Sequence, residues 1–117
     1  MSAHRKPRAS SKALVPGISA FAEARGDGYP RWRVRAVAQV DGKQVRSDWS
    51  PLRHSLAGAV REASAWRAEH VPAQGAAAEI EAAVWGRLSP AVLSQMRAAG
   101  VDVRRPAPVE IQSTARR

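Results

Sequence analysis

The stretch YPRWRVRAVAQVDGKQVRSDW, residues 29–49, decides the fold. Between 31 and 40 polar and apolar side chains alternate strictly. Successive residues of a strand point to opposite faces, so Trp32, Val34, Ala36, Ala38 and Val40 share one face. Arg31, Arg33, Arg35, Val37 and Gln39 share the other. The pair Asp41-Gly42 is the combination that a two-residue hairpin turn favours, because both positions need positive φ. Beyond it KQVRSDW runs back, with Val45, Ser47 and Trp49 on one side and Gln44, Arg46 and Asp48 on the other. The segment is therefore a β-hairpin with one apolar face and one face carrying a row of arginines.

Upstream, GISAFAEARGDGYP (17–30) is open between two forms. Ile18, Ala20 and Ala22 alternate as in a strand, and SAFAEAR also fits a short helix. GDGYP is a turn by composition. Downstream, SPLRHS closes the sheet and LAGAVREASAWRAEH (56–70) reads as a helix. Leu56, Ala59, Val60, Ala63 and Trp66 form its inner stripe, with Arg61, Glu62, Arg67 and Glu69 outside. Pro72 ends it. A second helix spans 76–88 with the stripe Ile80, Val84, Leu88 and with Trp85 beside it. A third spans 90–99, with Ser89 as N-cap, Pro90 at its first position and Gly100 as its stop. The expected class is α+β: a three-stranded antiparallel sheet packed on one alanine-rich helix, followed by two short C-terminal helices. The expected organisation is a disordered basic arm (1–15), a sheet-plus-helix domain (16–72), a helical pair (73–103) and a basic tail (104–117).

The chain has 117 residues, 44 % of them hydrophobic, and a net charge of +9. Many of the apolar residues are alanines, so the core is thin and depends on Trp32, Trp49, Trp66 and Trp85 for buried area. Residues 57–100 are neutral overall; the excess charge lies in the hairpin region and the two tails. Such clustering favours a polyanion as partner, nucleic acid before membrane surface. The absence of cysteine excludes disulfides and thiolate chemistry. No apolar run reaches the ~20 residues that span a bilayer, and the basic N-terminus lacks the apolar core of a signal peptide. A cytoplasmic location is expected, in association with the nucleoid if the partner is DNA.

Three arginines in register answer a chemical need that a merely wet strand does not have. Alternate side chains stand about 6.6 Å apart, close to the phosphate repeat of a nucleic-acid strand. The guanidinium fork fits a phosphate or a guanine edge. Protection of a sheet edge usually needs only one or two charges. His4, His54 and His70 are scattered, so no metal site is expected, and no constellation of nucleophile, base and acid is present. The expectation is a non-enzymatic protein without a cofactor.

PGIS at 16–19, WRVRA at 32–36, DGK at 41–43, SDWS at 47–50 and EASAWRAEH at 62–70 come in a suggestive order. Over residues 16–70, about half the chain, this order resembles the APETALA2-like DNA-binding domain of plant ethylene-response factors and homing endonucleases, and the related arm-type domains of phage integrases. The resemblance implies a sheet laid into the major groove, with Arg31, Arg33 and Arg35 of the central strand and Arg46 of the third facing DNA, and Arg25 as an addition. Gln39, Lys43 and Gln44 at the same hairpin, and Arg5, Lys6 and Arg8 of the N-terminal arm, complete the candidate nucleic-acid-binding set. The chain departs from the pattern at Asp48, an acid on the expected reading face, and it carries neither a nuclease motif nor an integrase catalytic region.

The leading expectation is a duplex DNA-binding protein, a small transcriptional regulator or recombination accessory factor of a phage or plasmid. The helices at 76–88 and 90–99 either pack back on the small domain or pair between chains, and a homodimer through residues 76–100 would join two half-sites. Two alternatives remain: a double-stranded RNA-binding module, which needs a helical first element, and a basic protein that binds or blocks an acidic protein surface.

Overall fold

The computed structural model describes residues 12–23 and 31–106. Four strands form an antiparallel meander in the order β1-β2-β3-β4: β1 (Lys12–Val15), β2 (Ile18–Glu23), β3 (Arg31–Val40) and β4 (Lys43–Trp49). Three helices follow: α1 (Pro51–His70), α2 (Ala77–Arg87) and α3 (Pro90–Ala98), with a single 3-10 turn at Pro72–Gln74. The α+β class stands as expected, but the sheet has four strands rather than three. Lys12–Val15, assigned from composition to the basic arm, pairs with β2 across a tight turn at Pro16-Gly17, where Gly17 has φ 81°. A bulge between Ala13 and Val15 lets the consecutive residues Leu14 and Val15 both be buried.

The element open between strand and helix is a strand: β2 pairs with β3 from Ile18↔Ala36 to Glu23↔Arg31. The order β-β-β-β-α is thus not the helix-first order that the RNA-binding alternative requires. The β3–β4 hairpin has the expected register, Val40↔Lys43 through Val34↔Trp49, and its turn residues Asp41 and Gly42 have φ 53° and 80°.

The inner sheet face and α1 form one core. Ile18, Ala20, Trp32, Val34 and Ala36 meet Leu56, Ala59, Val60 and Ala63. The alanines at 36, 59 and 63 are fully buried, and small residues there let the helix lie close to the strand. The C-terminal helices join the same core through Ile80, Val84, Leu88 and Met96, and Val101 and Val103 close it. Of the two roles open to the apolar stripes of 76–100, packing back on the sheet-plus-helix unit is the one present within the chain. α3 ends as its punctuation predicts. Ser89 Oγ accepts from the Val92 N–H, and Gly100, at φ 93°, donates to the Arg97 carbonyl while the Val101 N–H reaches the Met96 carbonyl.

One charged residue of α1 is buried. Arg67, expected outside, is only 9 % exposed. Its Nη1 donates to the Val37 carbonyl at 2.7 Å and its Nε to Gln74 Oε1 at 2.6 Å, while Gln74 Nε2 donates to the Pro16 carbonyl at 3.1 Å. The guanidinium lies against Gly17, where an added Cβ would collide with the Arg67 Cζ. This bracket ties the end of α1 to the β1–β2 turn and to β3. Burial lowers the pKa of the Arg67 guanidinium from its ordinary value, and among the described residues it has no carboxylate partner.

Candidate nucleic-acid interface

The helices pack on one face of the sheet only. The other face carries Arg31, Arg33 and Arg35 from β3, Arg46 from β4, Glu23 and Phe21 from β2, and Asp48 from β4. The alternation that buries Trp32, Val34, Ala36 and Ala38 leaves these residues outward, so β3 divides its labour as its sequence predicts.

The arginines are not equivalent. Arg35 and Asp48 are register partners, and the guanidinium grips the carboxylate with Nε at 2.7 Å and Nη2 at 3.1 Å. The same guanidinium lies over the Phe21 ring, 4.7 Å from its centroid, which explains how a phenylalanine on the outer face is only 7 % exposed. The hydrogen bond from Arg35 holds the Asp48 carboxyl below the ordinary carboxylate range; burial opposes it, and the charges of Arg35, Arg46 and Arg33 assist it. Arg33 donates through Nε to Glu23 Oε1 at 3.2 Å. Arg31 and Arg46 are exposed and have no ion-pair partner among the described residues. Among the described residues the face thus bears four guanidiniums against two carboxylates, a smaller excess than the arginine row alone suggests. The side-on grip engages Nε and Nη2 of Arg35 and leaves its remaining N–H donors outside the pair.

Gln39 and Gln44 face each other near the hairpin tip, both exposed, and Lys43 is exposed at the turn. By register Lys43 lies opposite Val40, on the parity of the inner face, so the structure sets it apart from the arginine row. Arg5, Lys6, Arg8 and Arg25 lie outside the described residues.

Arg53 escaped the candidate set. β3 is paired with β2 as far as Arg31, but its pairing with β4 stops at Val34↔Trp49. Beyond Trp49 the chain turns through Ser50 into α1. The space left at the end of β3 is an open cleft of about 430 Å³ lined by Arg31, Arg33, Ser50, Leu52 and Arg53. Leu52 is 59 % exposed, unusual for so large an apolar side chain. Among the described residues no cluster of His, Asp and Glu is able to hold a metal ion, and no helix is long and apolar enough to cross a membrane. Comparison with known proteins found no matching family, no matching curated protein and no matching solved structure.

Proposed function

We propose that the chain is a non-enzymatic duplex DNA-binding protein, a small regulator or recombination accessory factor, that meets DNA with the outer face of its sheet. The observation that carries this reading is the row Arg31, Arg33, Arg35 and Arg46 on a face that no described element covers. A two-sided strand whose inner half is fully committed to core leaves its outer half free for recognition, and arginine is the residue best suited to phosphate and guanine edges. Glu23 and Asp48 serve this reading by fixing the planes of Arg33 and Arg35.

The test is a gel shift on duplex DNA across a salt series. Wild-type binding should weaken with a slope of about −0.9 per phosphate contacted. Replacing Arg31, Arg33 and Arg35 together by alanine should abolish binding while far-UV circular dichroism keeps the native spectrum. A folded triple variant that binds as well as wild type rules the reading out. The mixed charge of the face also favours a second reading, a partner protein with an acidic surface. No duplex binding by wild type, with loss of a protein complex in the same triple variant, would select it.

A further inference from the structure

We infer that the cleft between Arg31, Arg33 and Arg53 is a seat for a single phosphate group, and that the phosphate it takes is one of the backbone phosphates of duplex DNA lying across the sheet. The occupant's identity rests on the DNA-binding reading of the outer face; the anion seat rests on the cleft itself.

Three arginines line one open concavity of about 430 Å³, within the size range of ligand sites. Among the described residues one carboxylate, Glu23, reaches this group, and it contacts Arg33 through Nε alone. Arg31 and Arg53 are exposed and without ion pairs among the described residues, so an anion in the cleft would meet guanidiniums that no carboxylate there already engages. The geometry also has a cause. Because β3 outruns β4, its first residues have no strand beside them on the β4 side, and the turn from Ser50 supplies the wall there. That wall is aimed separately from the body of α1, since Ser55 breaks the helix at φ 68°, ψ 159°. Backbone held in so sparsely populated a region recurs where a side chain must be placed for a purpose. The cleft opens at the end of the arginine row, so a strand crossing the face continues into it.

Two measurements separate the seat from its occupant. Titration of the protein with inorganic phosphate, against chloride at matched ionic strength, should shift the Nε–Hε resonances of Arg31, Arg33 and Arg53 saturably. In Arg53→Ala, a substitution at an exposed site that should leave the melting temperature unchanged, the shifts at Arg31 and Arg33 should fall severalfold. The same variant should bind duplex roughly five- to tenfold more weakly, uniformly across sequences, with the salt slope reduced by about 0.9. Absence of a saturable shift at Arg31 and Arg53 overturns the seat. Saturable shifts with an unchanged duplex affinity and slope in Arg53→Ala overturn the backbone-phosphate assignment. Saturable shifts in a wild-type protein that binds no duplex keep the seat and retire the DNA-binding reading.

Discussion

Arg35 and Asp48 stand directly opposite each other on β3 and β4, and two hydrogen bonds, 2.7 and 3.1 Å, join guanidinium to carboxylate. The acid that departs from an APETALA2-like pattern is thus the brace of the central arginine. With the side chains each 25 % exposed, the pair sits between a surface ion pair and a buried one. Its contribution to stability is small, and its effect on the charge of the face is not.

Asp48→Asn should therefore separate the two roles. The amide keeps one acceptor but removes a negative charge, so the net charge of the face rises by one. Thermal denaturation should show a loss of about 0.5–1 kcal/mol. Duplex affinity at low salt should rise severalfold, and the gain should shrink as salt screens it. Weaker binding in a folded Asp48→Asn would mean that the fixed plane of Arg35 matters more than the field.

The acid limb of stability should carry the mark of two carboxylates. Asp48 is held below its ordinary 3.8 by the Arg35 hydrogen bond, and Asp102 is lowered to about 2 by hydrogen bonds from the Arg104 side chain and backbone. Both folded-state values lie below the unfolded ones. The stabilisation is complete above about pH 4 and is lost as the pH falls through the folded values. Carboxyl-carbon NMR should give a midpoint near 2 for Asp102 and one below 3.8 for Asp48, with no contribution from either between pH 7 and 5. A midpoint for Asp48 at or above 3.8 would show that its grip on Arg35 does not persist in solution.

The inner and outer halves of β3 were legible because a two-residue period is local information. The Arg35–Asp48 pair was legible too: a turn at Asp41-Gly42 sets Val40 against Lys43, and counting outward sets 35 against 48. Arg67 carried a signal that its charge concealed, since it follows Ala63 by four residues and Val60 by seven, on the buried stripe. β1 carried almost none. Its four residues adjoin a basic run, and only pairing with β2 across Gly17 makes them a strand. The cleft at Arg53 was beyond reach, because it depends on how far β3 outruns β4 and on a helix break at Ser55.

Arg67 and Gly17 should be strongly coupled. Removing the guanidinium in Arg67→Ala leaves the Val37 carbonyl and Gln74 without their donor and opens a void, at a cost of about 2–3 kcal/mol. Gly17→Ala suffers twice, from positive φ and from a Cβ pressed onto the Arg67 guanidinium. In the Arg67→Ala background only the backbone strain remains. A double-mutant cycle by urea denaturation should therefore give a combined loss smaller than the sum of the two by about 1 kcal/mol or more. Strict additivity would show that Arg67 is not seated in the Gly17 notch.

Ser55 offers the opposite case, a site where loss of the native side chain should stabilise. Its backbone, at φ 68° and ψ 159°, occupies a region that suits glycine, at a cost on the order of 1–3 kcal/mol for any other residue. Its Oγ accepts from the Gly58 N–H at 3.0 Å and so caps the body of α1, a bond whose replacement by glycine costs only a few tenths of a kcal/mol. The Leu56 N–H is meanwhile held by the Asp102 carbonyl at 2.9 Å, which anchors the break from the other side. Ser55→Gly should thus raise the unfolding free energy by about 1 kcal/mol in urea denaturation. The same change frees the turn that carries Arg53, so the phosphate-induced shifts at Arg31 and Arg33 should weaken even as the fold becomes more stable. A destabilised Ser55→Gly would mean that the serine cap outweighs the backbone strain at this break.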